Sequence, residues 1–173
     1  MRQVSFTVYG EARPAGSKTA VVTKTGRTFV RDAAKGVPAW KRRVAEAAAE
    51  AMAGAPLMDG PLAVAFLFVQ LRPKSHFGKR GILPSAPVAP TVRPDLLKLA
   101  RAVEDALTGI CYRDDSQIVL EGLEKRYGEP GRVEVSIYAP EAGAPLYRLS
   151  ETREVAENPG YVDVPGDAGA RPD

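Results

Sequence analysis

Three carboxylates stand among basic residues in two short stretches, Arg93-Pro94-Asp95-Leu96-Leu97-Lys98-Leu99-Ala100-Arg101 and Asp114-Asp115-Ser116-Gln117. Carboxylates drawn together repel each other unless a divalent cation neutralises them, and a basic surround suits an anionic substrate. Metal plus polyanion is the chemistry of phosphodiester cleavage. In that reading Asp95 and Asp115 bind Mg²⁺, or Mn²⁺, with Asp114 beside them. Lys98 or Arg101 then offsets charge on the transition state or the leaving oxygen. A plainer reading stays open at this point, in which Asp95 caps a helix and Asp114-Asp115 is a solvated turn.

Other basic residues would position such a substrate. Arg13, Lys18, Lys24 and Arg27 lie in a stretch, residues 13–31, that has no Asp or Glu, and Lys41, Arg42 and Arg43 follow. Lys74, Lys79, Arg80 and Arg93 sit in a long Pro-rich connection, residues 72–94. Contacts of this kind give affinity and salt dependence without sequence readout, and each cluster alone also fits an ordinary solvated face. The formal net charge is +3, but residues 145–173 carry three Arg against six Asp and Glu. That tail is −3, which leaves +6 on the preceding body and favours a polyanionic partner for it.

Composition bounds the rest. A chain of 173 residues with 45% hydrophobic and 26% charged residues can bury a real core. Cys111 is the only cysteine, so an intrachain disulfide and a cysteine metal cluster are excluded, and His76 is the only histidine. A Ser-His-Asp centre or a multi-histidine zinc site would depend on it alone; it is expected on an exposed loop with no catalytic role. The start lacks an apolar leader and no apolar run approaches the ~20 residues of a membrane span. A reducing, cytoplasmic setting is expected.

The elements that must position these residues follow from periodicity. Val4, Phe6 and Val8 alternate with polar residues as in a half-buried strand, and Thr19 to Val30 predicts a hairpin turning near Thr25-Gly26. Pro38 opens an Ala-rich helix that runs to Met52 and stops at Gly54 and Pro56. Leu62 to Leu71 is a continuous apolar run, a buried strand. At about 100° per residue, Leu96, Leu99, Val103, Ala106, Leu107 and Ile110 fall in one stripe of a helix over Asp95 to Thr108. Lys98, Arg101, Glu104, Asp105 and Thr108 fall opposite, with Leu97 among them. Gln117 to Tyr127 and Arg132 to Tyr138 predict two strands joined at Glu129-Pro130-Gly131 by a hairpin-like turn. Trp40 and the Phe residues are expected in the core or at a dimer contact. The order predicts one α+β domain, residues 1–140, with a mixed or antiparallel sheet and two main helices packed on it. Residues 141–173 are expected to form an acidic, disordered tail.

The segment from Arg93 to Tyr127 resembles the RusA-type Holliday-junction resolvases, small endonucleases typical of phages and prophages. That family carries Pro-Asp-Leu-Asp-Asn-Leu-x-Lys, then Asp-Ala-Leu, then Asp-Asp-[Ser/Ala]-Gln-[Ile/Val]. Here these read Pro94-Asp95-Leu96-Leu97-Lys98-Leu99-Ala100-Arg101, Asp105-Ala106-Leu107 and Asp114-Asp115-Ser116-Gln117-Ile118. The resemblance implies a homodimer that binds four-way branched double-stranded DNA and nicks two opposed strands with Mg²⁺. It maps metal ligands onto Asp95 and Asp115, with Asp114 beside them, and the catalytic Lys onto Arg101. It maps a third carboxylate onto Leu97, which cannot bind metal. Glu104 falls within about 20° of Leu97 on the helical wheel but ~10 Å further along the axis. Glu104, Asp105 or Asp114 is therefore expected to complete a variant site. Two other functions stay open, a branched-DNA-binding protein that does not cleave and an interaction domain for an acidic protein partner.

Overall fold

The computed structural model describes residues 2–15, 18–32 and 36–140, with the side chains of residues 18–21 and 29–32 left aside. The expected tail, residues 141–173, and the side chain of Lys18 lie outside the described residues.

Strand β1 (Arg2–Tyr9) is followed by the hairpin of β2 (Lys18–Val22) and β3 (Thr28–Asp32). Gly26, at φ 77°, makes the turn between them, close to where the sequence predicts it. Helix α1 (Val37–Met52) begins with Pro38 in its first turn and turns Val37, Trp40, Val44, Ala48 and Met52 inward. That i, i+3/i+4 spacing is the inward stripe of an amphipathic helix.

Strand β4 (Leu62–Gln70) leads into a short projecting arm, β5 (Phe77–Gly78) and β6 (Gly81–Ile82). Helix α2 (Leu96–Leu107), strand β7 (Ile118–Tyr127) and strand β8 (Arg132–Ala139) complete the described elements. Helix α2 buries Leu99, Ala100, Ala102, Val103, Ala106 and Leu107. The buried surface is wider than the predicted stripe because α2 packs against α1 as well as the sheet, and Ala100 and Ala102 let the two helices approach.

The main sheet has the order β1-β8-β4-β7. Strand β8 is antiparallel to both β1 and β4, while β7 runs parallel to β4 at the edge. This is the mixed α+β architecture the sequence predicts, with one correction. Strands β7 and β8 do not form a hairpin, because β4 lies between them. Two strand spacings of ~4.8 Å separate them, and residues 128–131 are long enough to step across. A central place also suits β8 better than an edge: Val133, Val135 and Ile137 are fully buried. Phe66, Phe68 and Leu62 meet those residues under the helices, while Trp40 fills the space beneath α1. The expectation of Trp40 in the core holds. Phe66 and Phe68 are in the core and Phe6 packs against it, whereas Phe77 is exposed on the arm.

Candidate functional site

Helix α2 and strand β7 lie side by side, and their relation decides which acidic residues meet. Successive side chains of a strand alternate faces, so Glu121, Leu123, Lys125 and Tyr127 share the face turned toward α2. On the helix, Leu97, Arg101, Glu104 and Thr108 lie along one line at i, i+4, i+7 and i+11. A groove between the two elements is thus lined by Glu104 and Arg101 on one side and by Glu121 and Lys125 on the other.

Glu104 is the electrostatic centre of this groove. Its carboxyl is pushed from 4.5 up to about 8, first by burial, then by a hydrogen bond and charge repulsion from Glu121, and further by Asp115 and Asp105. A half-buried carboxyl beside other acidic groups ionises only at a cost, so Glu104 holds its proton to higher pH. The same negative surroundings act on buried Tyr112: burial, then Glu104, Cys111 and Asp115 drive its hydroxyl far above its ordinary range. Its hydroxyl donates to the Glu104 carbonyl at 3.2 Å. Buried Cys111 has its thiol pushed up to about 11 by burial, so it is no nucleophile.

Asp115 begins a short 3₁₀ turn, Asp115–Gln117, whose geometry is set by its neighbours. A hydrogen bond with the Ser116 side chain, and then the one accepted from Ser116 N at 2.9 Å, hold the Asp114 carboxylate below the usual range. Gln117 does more. Its Oε1 accepts from Arg113 N at 2.9 Å and Asp114 N at 3.2 Å, and its Nε2 donates to the carbonyls of Met58 at 3.2 Å and Gly60 at 3.1 Å. One amide therefore ties the acidic turn to the chain that leads into β4.

Asp95 is placed elsewhere. It takes the N-cap position of α2, yet its side chain caps no backbone N–H and instead faces Lys98 at 3.6 Å. Lys125 Nζ donates to the carbonyls of Val92 at 2.9 Å and Pro94 at 3.1 Å, which fixes this end of the helix beside the far end of β7. Ile118, next to the Asp115 turn, is seven strand residues from Lys125, about 23 Å. Asp95 and Asp115 thus stand at opposite ends of α2 within one chain. The acidic groups that the fold does gather are Glu104, Glu121 and Asp115. Asp105 is held by Lys41 at 2.7 Å.

Among the other predicted residues, Leu97 is 71% exposed on the groove side, as its helical position requires. Lys24, Arg27, Lys74, Lys79, Arg80 and Arg93 are exposed, and Arg13 faces Glu11 at 2.9 Å. His76 departs from the expected exposed loop position. It is half-buried, its ring set edge-on to Tyr127 with centroids 5.6 Å apart. A cavity of about 950 Å³ opens near Asp95, between Tyr9, Val69, Val92, Pro94, Tyr127 and Pro130. It is remote from the Glu104–Glu121 pair.

The sequence reading missed Glu121 and the positioning role of Gln117. Strand parity carried the signal for the first, since Glu121 is an acid in the row of Val119 and Leu123. For Gln117 the Asp114-x-x-Gln117 capping spacing signalled its local bonds, whereas its carbonyl partners lie 57 and 59 residues away.

Among the described residues no three of Asp, Glu, His or Cys converge closely enough to cage a metal ion. Mg²⁺ needs less, because it is commonly bound through one or two carboxylates while waters and substrate phosphate fill its octahedron. Glu104 and Glu121 present two carboxyls to one another, a donor set of that kind.

The family model for endodeoxyribonuclease RusA matches residues 10–138. The chain belongs to the RusA endodeoxyribonuclease family. A relative from Bacillus subtilis (strain 168), the uncharacterized protein YqaN, is 33% identical over 146 residues. The match covers 78% of this chain and 94% of that protein. The RusA match spans all the groove residues. No described helix is long and apolar enough to cross a membrane.

Proposed function

We propose that this RusA-family chain is a divalent-metal-dependent, structure-selective endonuclease that resolves four-way DNA junctions as a homodimer by paired nicks. The observation that carries the reading is half-buried Glu104 facing exposed Glu121, with the charge of Asp115 acting on it. Leu97 stands where the family resemblance puts a metal ligand, and Glu104 lies on the same helical line two turns further on. The acidic centre is thereby shifted down the helix toward Asp115.

Glu104 and Glu121 would hold Mg²⁺ or Mn²⁺, with Asp115 adding negative potential or an outer-sphere hydrogen bond through water. The cation would supply charge neutralisation at the scissile phosphate and favour attack by water. Arg101, one turn from Glu104 on the groove side, faces the place where charge develops on the phosphate and the leaving oxygen. Its planar guanidinium can engage two phosphate oxygens at once, which a lysine there could not. Asp95 with Lys98 marks the far end of the groove, where the nucleic-acid backbone would continue over Arg93. The exposed cations Lys24, Arg27, Lys74, Lys79 and Arg80 would supply backbone contacts, with Arg13 and Lys18 on the same side of the sequence. Such work on DNA belongs in the cytoplasm, that of a host cell if the gene is carried by a phage.

A second reading rests on Leu97 itself. A leucine at a ligand position also suits a protein that binds branched DNA without cutting it. A synthetic four-way junction assayed with Mg²⁺ and with chelator separates the two. Symmetric nicking that needs the metal and is lost in Asp115→Asn and Glu104→Gln, with binding retained, supports the enzyme. Binding without metal-dependent product supports the scaffold. Undiminished nicking by both variants would remove these carboxylates from the site.

A further inference from the structure

We infer that the arm formed by β5 and β6 is a wedge that inserts Phe77 and Ile82 between unstacked bases at the branch point of the DNA. The inference rests on the nuclease reading above and adds to it a site for nucleobases.

Phe77 and Ile82 are directly paired across the two short strands, so their side chains stand together on one side of the arm. They remain 48% and 57% exposed, although each is a residue type that folding normally hides. The turn that joins their strands is Gly78-Lys79-Arg80-Gly81, which puts two cations at the tip next to the apolar pair. Residues 71–94 hold five Lys and Arg and no Asp or Glu. An apolar tip surrounded only by positive charge suits one partner class: a nucleic acid, which offers phosphates to the cations and base faces to the ring. An acidic protein would satisfy the cations but gives no reason for a paired aromatic and aliphatic residue at the tip. Apolar side chains that enter between bases and unstack them are a known way of bending or opening a duplex.

The arm is also stiff enough to act as a wedge. Leu83 N donates to the His76 carbonyl at 2.9 Å and closes its base. Leu83 packs closely on Gly78, its Cδ2 2.9 Å from where a Cβ would stand. Arg72 locks the root: its guanidinium lies 4.3 Å from the centroid of the Tyr127 ring and donates to the carbonyl of Pro87 at 2.8 Å. His76 meets the same Tyr127 ring edge-on. The arm is thereby anchored to the end of β7, the strand that carries Glu121, and projects from the end of the sheet where the groove passes Asp95.

The test uses the full chain and a four-way junction carrying 2-aminopurine at the branch point, a base whose fluorescence rises when it loses its stacking neighbours. Binding is followed separately by anisotropy. The parent protein is expected to give a fluorescence rise on binding. The double variant Phe77→Ala with Ile82→Ala is expected to bind and to lose that rise, while Phe77→Leu keeps part of it. Circular dichroism and the melting temperature of the double variant should match the parent, because both side chains are exposed. Binding by the parent with no rise, or an unchanged rise in the double variant, would overturn the wedge and leave the nuclease reading intact. No binding of branched DNA by the parent overturns both. A change in oligomeric state in the double variant, with the fluorescence rise kept, would make the arm a subunit contact and overturn the wedge.

Discussion

Glu104 on α2 and Glu121 on β7 face each other closely enough for their carboxyls to share a hydrogen bond, which helps to hold the proton on Glu104. Negative charge on Glu104 must then be met by a cation or suffer repulsion at a half-buried position.

Stability should therefore depend on pH through Glu104. Its folded value, about 8, lies above the ordinary 4.5, so across that interval the folded chain holds a proton that the unfolded chain has released. The sign is a loss of stability as pH rises from about 4.5 through about 8, with no further change from this group above that. In metal-free buffer the denaturation midpoint is expected to fall across this window in the parent. Glu104→Gln should flatten the fall, and Mg²⁺ at pH 8 should raise the midpoint of the parent more than that of the variant. Parallel curves for the two proteins would remove the pair as the cause.

Gln117→Ala tests the support of the acidic turn. The substitution removes four hydrogen bonds and leaves the Met58 and Gly60 carbonyls without that partner. A stability loss of about 1–3 kcal/mol is expected by urea unfolding. The nicking rate should fall more than junction binding does, because Asp115 loses its fixed position. Glu at the same site would not rescue it, since a carboxylate cannot donate to those carbonyls.

Leu97→Asp discriminates between two locations for the acidic centre. Leu97 is exposed and lies in the first turn of α2, which has no acidic residue. A carboxylate there meets the positive end of the helix dipole and should stabilise by about 0.3–1 kcal/mol. If the centre lies at Glu104 and Glu121, nicking should change little. A gain of about tenfold, or 1.4 kcal/mol in the barrier, would place the centre at the helix N-terminus instead.

Lys125→Met should loosen that N-terminus. The ammonium group holds the Val92 and Pro94 carbonyls, and losing two bonds to a charged donor should cost about 1.5–3 kcal/mol. Hydrogen exchange is expected to speed up at Asp95 and Leu96 while the amides of β4 stay protected. Uniform deprotection of the whole chain would instead make Lys125 a general support of the fold.

Much of the fold was readable because each main element carries a strong local signal. Pro38 and the Ala run mark α1, the spacing of Leu99, Val103 and Leu107 marks α2, and the unbroken apolar run at Leu62 marks β4. Strand pairing was not local. The three turn residues Glu129-Pro130-Gly131 suggest a hairpin, yet nothing near them reveals that β4 occupies the space between their strands. The site divides in the same way. Asp115 and Glu104 could be named from spacing and a helical wheel, whereas their meeting with Glu121 depends on the parallel placement of β7. Within one chain the full length of α2 stands between Asp95 and Asp115, which their spacing in sequence did not reveal.

The position of β8 bears on how the chain comes into being. Among the described residues it is the last strand in sequence, but it fills the gap between β1 and β4. During synthesis on the ribosome, the apolar faces of both neighbours must wait, unpaired, until residues 132–139 emerge. A nascent chain stopped before that point offers two sticky strand edges to other chains, so truncated products are expected to aggregate or engage chaperones.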